Sequence, residues 1–244
     1  MANAPWLPKR TLALVDRGVE ALRSVYGDRL QAAAIVGAAA SPARHDRARA
    51  PQVLAIVAST SVADARSLAE TAAKAMRDGL RLRVLTEAEL AGSSDVFTLE
   101  VTEWRDRHVL LAGENPFDAV TIDAADLRRS LEQSARGISR QLRNRLISVD
   151  ATGRGSGQEA LSAALERTIE LAHHTLLWLG KEAPGEEGAL LEAFGRWAEV
   201  DASAIVKLVA ELRGKGRLDD PWKAFESIVP FLDGAKHAVD GMGA

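Results

Sequence analysis

The sequence predicts an α/β domain followed by an all-α antiparallel helical bundle. Up to residue 149, short apolar runs with strand-like patterns alternate with amphipathic helical segments. From residue 158 onward the periodicity is only helical, and short breaks separate the helices, as in an antiparallel bundle. Residues 150–157 (DATGRGSG) contain three glycines among small polar residues, which is typical of a linker. We therefore expect an α/β domain at residues 1–149 and a helical bundle at residues 158–244.

The composition is that of a globular protein and excludes several functional classes. With 244 residues, 47% of them hydrophobic and 27% charged, the chain can form two cores. A net charge of −3 and a pI near 6.0 argue against general nucleic-acid binding. The absence of cysteine excludes disulfides and thiolate metal sites. No apolar run approaches the ~18 residues of a membrane span, and the first residues lack the order of a secretory signal. We therefore expect a cytoplasmic protein.

Two helices and two apolar strands open the chain. Apolar residues recur at helical spacing over residues 9–26, and the strand-like run 32–36 ends at Gly37. A second apolar run covers residues 53–57. Serine and threonine side chains then offer N-cap oxygens for a helix over residues 62–77.

Alternating segments predict further strands. Residues 80–86 (LRLRVLT) alternate apolar and charged side chains, which is typical of a strand with one wet face near a sheet edge. Residues 95–104 (DVFTLEVTEW) alternate again. Residues 108–112 form a short apolar run that the turn residues 113–117 close. Asp123 is a suitable N-cap for the long amphipathic helix that follows.

The second half of the chain predicts four helices with short breaks between them. They lie near residues 158–179, 186–200, 202–213 and 221–239. Pro230 should kink or split the last of them, because proline removes a backbone donor and clashes with the preceding turn.

Residues 31–57 resemble the opening of the nucleotidyltransferase fold, the polymerase-beta-like superfamily. Active members place Gly-Ser after the first strand, Asp-x-Asp at the start of the second, and a third carboxylate on a later strand. The three carboxylates hold two divalent metal ions. Residues 108–117 (HVLLAGENPF) also resemble a strand and turn of bacterial nucleotidyltransferase-like proteins. A helical bundle after such a domain is similar to the aminoglycoside nucleotidyltransferase arrangement. The resemblance implies a mixed sheet with helices, followed by the bundle.

The residues that would perform this family's chemistry are absent. Gly37 is present, but the matching positions hold uncharged or basic residues: Ala38 after the first strand, Pro51 and Val53 on the second, and Arg83 on the third. The nearby acids Asp46 and Asp64 lack the required spacing. The resemblance therefore implies no metal, no cofactor and no catalytic residues, and a catalytically inactive protein that acts as a binding or regulatory module.

Five residues are candidates for binding an anionic, nucleotide-like ligand: Gly37, Arg44, Arg47, Arg49 and Arg83. The arginines could bind phosphates in place of metal ions, and the protein would then be an enzyme with altered chemistry on an anionic substrate. The alternative is that residues 44–49 form a solvated surface loop that binds no ligand.

Four arginines share one face of the long helix after Asp123, because their spacings are seven, four and three: Arg129, Arg136, Arg140 and Arg143. They are candidates for contact with an acidic protein partner, a nucleotide or RNA. The alternative is the wet face of an amphipathic helix. Asp95, Glu100 and Glu103 could form an acid–base pair or a metal site, but we expect exposed strand residues.

One motif of the bundle suggests a third function. Arg167 and His173 resemble the arginine–histidine motif of the HEPN ribonuclease bundles, with Thr168 as the polar residue after the arginine. This motif would make the bundle RNA-acting. His173 and His174 point about 100 degrees apart on a helix, so the two side chains do not easily serve one site. The expected partners are a protein or a small anionic ligand.

Overall fold

A computed structural model of the chain describes residues 4–42, 51–152, 156–214 and 218–243. The chain divides into two units, Met1–Asp123 and Ala124–Ala244. Helix α6 (Ala124–Thr152) belongs to the second unit, so the division falls before this helix and not at residue 149. The first three residues of the predicted linker, 150–152, continue this helix. Residues 153–155 of the linker lie outside the described residues.

The first unit is built on a four-stranded mixed sheet. Helix α1 (Lys9–Tyr26) precedes β1 (Leu30–Val36), and β2 (Gln52–Val57), β3 (Arg81–Thr86) and β4 (His108–Gly113) follow. Across the sheet the order is β3-β2-β1-β4. β1 pairs antiparallel with β2 and β4, whereas β2 pairs parallel with β3. β3 is thus an edge strand, as its alternating pattern predicts.

Short helices connect the strands of this unit. The predicted helix over residues 62–77 is divided at Ala72 into α2 (Val62–Thr71) and α3 (Ala73–Arg77). α4 (Glu87–Ala91) follows β3 directly. Capping boxes begin both α2 and α4, because a Ser or Thr side chain accepts from the third helical residue, whose carboxylate accepts in return.

The strand predicted for residues 95–104 is wrong, because this region forms helix α5 (Thr98–Asp106). Its buried side chains recur at helical spacing: Thr98, Val101, Thr102 and Trp104. Two of these four are threonines, and each hydroxyl donates to a backbone oxygen three or four residues earlier. Threonine therefore occupies the buried face without an apolar signal in the sequence. Phe97, which belongs to the predicted apolar strand face, is 57% exposed.

The two faces of the sheet differ in what covers them. The first face packs against α1, α2 and α3 and is apolar throughout; its buried strand residues are Ala33, Ile35, Val53, Ala55 and Val57. The second face is apolar over only part of its area, where α5 and Phe117 cover it; its buried strand residues are Ala32, Ala34, Val36, Leu54 and Ile56. The remaining part of the second face is polar and holds the candidate site.

The second unit is helical, as predicted. Its helices are α6, α7 (Gly157–Trp178), α8 (Glu187–Ala198), α9 (Ser203–Gly214) and α10 (Pro221–Asp240). α6 packs along α7 and α10. α10 runs through Pro230 as one helix, so the proline does not split it. Across the described segments, every helix is too short or too polar to pass through a bilayer.

Candidate functional site

Polar side chains from three strands lie at one end of the second sheet face. The strand register pairs Gln52 with Arg81 on β3 and with Val36 on β1, and it pairs Val36 with His108 on β4. Residues that are paired across neighbouring strands point to the same face. Arg83 joins this face because it lies two residues beyond Arg81 on β3. We call Arg81, Arg83, Gln52 and His108 the polar row.

Helix α5 gives Arg83 two partners. Its Nη1 lies 2.5 Å from Oε1 of Glu100, and its guanidinium carbon lies 5.5 Å from the centre of the Trp104 ring. Glu100 and Trp104 are four residues apart on α5, so they occupy the same side of the helix. The side chains of Arg83 and Glu100 are 46% and 38% exposed. This ion pair is therefore a surface pair, which a competing ion can reach.

Gln52 has an amide nitrogen that is shielded from solvent. The residue is half-buried, and among the described residues its Nε2 has no hydrogen-bond partner. Buried amide groups are nearly always hydrogen-bonded. The nitrogen is therefore a buried donor that no described acceptor satisfies.

His108 is anchored by helix α5. Its Nδ1 lies 3.0 Å from the backbone oxygen of Trp104 and 3.2 Å from that of Arg105. A carbonyl oxygen only accepts, so the proton is assigned to Nδ1, and Nε2 of the neutral ring is then an acceptor. The ring also packs against Phe117, with centroids 4.8 Å apart. Helix α5 thus orients the imidazole ring, and Nε2 takes no part in these hydrogen bonds.

The metal ions of active nucleotidyltransferases do not fit this face. Side chains alternate along β2, so the residues that share the face of Arg83 are Gln52 and Leu54, whereas Val53 packs on the first face. The assignment of Pro51, Val53 and Arg83 to one former metal site is therefore wrong. Gln52 and Leu54 supply no carboxylate, and Arg83 repels a cation. Across the described ranges, no three His, Cys, Asp or Glu side chains are grouped to hold a metal ion.

Gly37 lies beside the polar row, directly after Val36. Its φ of +73° falls in the left-handed region that favours glycine. A Cβ at this position would meet no atom within 4 Å. The backbone conformation, and not a close approach of neighbouring atoms, is what requires glycine here. The candidates Arg44, Arg47 and Arg49 lie outside the described residues, so their part in the site stays a prediction.

Asp64, the nearest described acid that the sequence offered, is engaged in local structure. Its oxygens accept from Arg29 at 2.8 Å and 2.9 Å, and it closes the capping box of α2 with Ser61. The hydrogen bonds from Arg29, and then those from Ser61, hold the pKa of Asp64 well below its ordinary range. Asp64 therefore stays ionised and joins α2 to the turn that holds Arg29, between α1 and β1, which is a structural role.

The four arginines of α6 are exposed, as their spacing predicts. Arg129 pairs with Asp126 at 2.6 Å, and Arg136 pairs with Asp240 at 3.0 Å. Within the described residues, Arg140 and Arg143 show no ion pair. A role of this face in partner binding stays a prediction.

The arginine–histidine motif of α7 takes part in helix packing. Arg167 donates to the side-chain oxygen of Gln141 on α6. Thr168 is buried and donates to the backbone oxygen of Ala164 at 2.8 Å. The rings of His173 and His174 meet edge to face with centroids 5.2 Å apart. An RNA-cleaving function of this motif also stays a prediction.

Three residues of the polar row were not predicted from the sequence: Arg81, Gln52 and His108. They come from three separate segments, and only the strand register brings them together. One signal was present, because Gln52 is the only polar residue of an otherwise apolar strand.

The comparison with known proteins finds similarity in structure and none in sequence. No protein-family model matches the sequence, and no curated protein matches it. Among solved structures, the chain is similar to the spectinomycin adenyltransferase of Enterococcus faecialis, determined with ATP and spectinomycin. The TM-score is 0.60 at 11% identity, over 94% of this chain and 99% of that chain. At this identity the likeness concerns the fold alone. The chain therefore shares the fold of that adenyltransferase, a nucleotidyltransferase-like fold with a mixed α/β domain followed by a helical region.

Proposed function

We propose that the protein is a nucleotidyltransferase-like binding or regulatory module that does not transfer nucleotides. One observation carries this proposal. On the sheet face that would hold metal ligands, the strand positions are Gln52, Leu54 and Arg83, and Arg83 is already paired with a carboxylate. The guanidinium of Arg83 would thus take the place of the metal ions that nucleotidyltransferases use.

An arginine can replace the charge of a metal ion but not its chemistry. Its guanidinium neutralises phosphate oxygens and donates several hydrogen bonds to them. It stays protonated at all physiological pH values, so it cannot accept a proton from an attacking hydroxyl. Two metal ions both activate that hydroxyl and stabilise the leaving group. The replacement therefore supports binding of an anionic ligand without transfer, in the cytoplasmic location that the sequence predicts.

A second candidate function is an enzyme with altered chemistry on an anionic substrate. His108 favours it, because its Nδ1 is held by backbone oxygens of α5, which leaves Nε2 of the neutral ring outside these hydrogen bonds as a candidate general base. The solved structure with a similar fold is an adenyltransferase determined with ATP and spectinomycin. A nucleotide-like ligand is therefore a reasonable first substrate class to test for this chain.

Regulation through a protein partner is the other part of the proposal. Arg140 and Arg143 are exposed on α6 and carry positive charge that no described acid pairs with. An acidic protein segment is the partner that complements this face. Reversing both charges with glutamate should abolish binding to such a partner, whereas Arg196→Glu on α8 should leave it unchanged. Equal binding by both variants would refute this part of the proposal.

The decisive experiment is a nucleotide-transfer assay on the full chain. Each labelled nucleoside triphosphate is incubated with Mg²⁺ or Mn²⁺ and a panel of hydroxyl acceptors that includes spectinomycin. The expected result is neither a labelled acceptor nor released pyrophosphate, while the spectinomycin adenyltransferase of the structural comparison labels its substrate in parallel. Metal-dependent transfer to any acceptor would falsify the proposal. Turnover without metal that is lost in His108→Gln would favour the second candidate.

A further inference from the structure

The polar row combines donors that the described fold does not satisfy. The Nε2 of Gln52 is shielded from solvent and has no acceptor among the described residues. Arg81 is exposed and forms no ion pair with any described residue. Arg83 uses Nη1 for Glu100, and a guanidinium carries five N–H donors in all. Three neighbouring side chains on one sheet face therefore present donors and positive charge to the same region.

We propose that the polar row is a metal-free binding site for a small phosphate-type oxyanion, and that Glu100 is its internal competitor until the ligand arrives. This inference rests on the proposed binding function, which it deepens by naming the ligand class and the way in which the site is controlled.

The spacing of the strands suits a phosphate group. Paired positions on neighbouring strands, such as Gln52 and Arg81, are about 4.8 Å apart, and Arg83 lies about 6.6 Å beyond Arg81 along β3. Arginine side chains are long enough to converge over these distances. A tetrahedral phosphate offers several oxygens, so it can accept from both guanidinium groups and from the Gln52 amide together. A single carboxylate has only two oxygens and satisfies fewer of these donors.

Glu100 resembles the proposed ligand in charge and in its hydrogen-bonding group. Its side chain is 38% exposed, so the carboxylate can turn into solvent when an oxyanion takes its place. Exposed ion pairs add little net stability, and the exchange therefore costs little. Trp104 holds the guanidinium of Arg83 by its ring face and is independent of Glu100. Arg83 thus stays oriented while its anionic partner changes.

The structure offers a matched control for this ion pair. Arg17 on α1 pairs with Asp78 at 3.1 Å, and these side chains are 44% and 40% exposed. The exposure of the two pairs is nearly equal, but Arg17 belongs to the helix that covers the first face of the sheet. Asp78→Asn and Glu100→Gln change the net charge equally. A general electrostatic effect would therefore change the affinity of both variants. Release of Arg83 from its ion pair would change the affinity of Glu100→Gln alone.

The test is calorimetric titration of inorganic pyrophosphate into the full chain in the presence of EDTA. We expect binding by the wild type and about threefold tighter binding by Glu100→Gln, because an internal competitor that forms only an exposed ion pair is removed. Arg83→Gln should weaken binding about tenfold or more, whereas Arg17→Gln and Asp78→Asn should stay within about twofold of the wild type. Malonate, a dicarboxylate, should bind more weakly than pyrophosphate to each protein.

A second variant separates a ligand role of Gln52 from a structural one. Gln52→Leu removes a donor that has no described acceptor, so its melting temperature should equal or exceed that of the wild type. Pyrophosphate binding should nevertheless fall several-fold, since the ligand loses one hydrogen bond. A lower melting temperature with unchanged binding would assign Gln52 to the structure and contradict the inference.

Three results would overturn the site as a whole: no pyrophosphate binding by any variant, equal affinities of Glu100→Gln and Asp78→Asn, or wild-type affinity of Arg83→Gln. Each leaves the proposed function standing, because a binding module can recognise a protein instead. Metal-dependent nucleotide transfer would refute the proposed function and would leave the pyrophosphate result as it is. The two failures are therefore distinguishable.

Discussion

The two units differ in how far their arginine–glutamate ion pairs are exposed to solvent. In the helical unit, Arg213 lies 3.3 Å from each carboxylate oxygen of the fully buried Glu187 and also pairs with Glu166. In the first unit, the pair of Arg83 and Glu100 is about half exposed. A buried carboxylate needs a permanent partner, because an unpaired charge in the interior is very costly. The exposed pair has no such requirement. The difference teaches that the first contact holds the fold, whereas the second is free to exchange its partner.

The largest effect should come from the buried contact. Arg213→Met removes the guanidinium that donates to both carboxylate oxygens of the buried Glu187, so the free energy of unfolding should fall by about 4 kcal/mol. Urea denaturation followed by circular dichroism measures it. The control is Arg196→Met on α8, whose pair with Glu192 is exposed, and it should cost less than about 0.5 kcal/mol. Equal losses in the two variants would remove the distinction between buried and exposed pairs.

Gly113 and Gly37 lie at opposite ends of the sheet and differ in how closely other atoms surround them. Gly113 has a φ of +76°, and a Cβ there would overlap the backbone oxygen of Gln31. Gly113→Ala should therefore lower the free energy of unfolding by about 3 kcal/mol, from backbone strain together with steric overlap. Gly37→Ala beside the polar row meets only the strain and should cost about 1 kcal/mol. A Gly37 variant as unstable as the Gly113 variant would show that neighbouring atoms pack closely around Gly37.

The pH dependence of the melting temperature should reveal the structural role of the Asp64 carboxylate. The hydrogen bonds of Arg29 lower the folded-state pKa of Asp64, so the ionised carboxylate stabilises the fold above the ordinary aspartate pKa. This contribution is lost as the pH falls below about 4, the unfolded value. Wild type should therefore melt at a higher temperature than Asp64→Asn at pH 7, and the difference should shrink towards pH 2. A difference that is constant over this range would contradict the structural role.

The smallest effect on stability should come from the polar row itself. Arg83→Gln breaks an exposed ion pair, so the free energy of unfolding should change by less than about 0.5 kcal/mol. Thermal unfolding of this variant beside Arg213→Met sharpens the comparison. If Arg83→Gln were as destabilising as the buried variant, the polar row would be part of the core and not a binding surface.

Elements with a clear apolar period could be predicted from the sequence. β1 and β2 follow from apolar runs, and α1 follows from helical spacing and from Gly27, whose φ of 52° ends the helix. Helix α5 could not be predicted, because Thr98 and Thr102 fill buried positions and the remaining apolar residues happen to alternate. Tertiary packing against the second sheet face decided between the two patterns.

The candidate site could be predicted only in part, for a geometric reason. Gly37 and Arg83 were found because they match positions of a known motif. Gln52 was missed and Val53 was chosen, since a shift of one residue along a strand moves a side chain to the opposite face. His108 comes from a strand that is distant in sequence, and only the pairing of β1 with β4 brings it near. Strand register is a property of the folded sheet.

The most direct test of the central claim is titration of ATP into the full chain with and without Mg²⁺. If arginines replace the metal ions, ATP should bind in EDTA, and Mg²⁺ should weaken binding because it neutralises the phosphates that Arg81 and Arg83 recognise. Binding that appears only with Mg²⁺ would contradict the account, since carboxylates would then hold the metal ions and the protein would retain the requirements of an active nucleotidyltransferase.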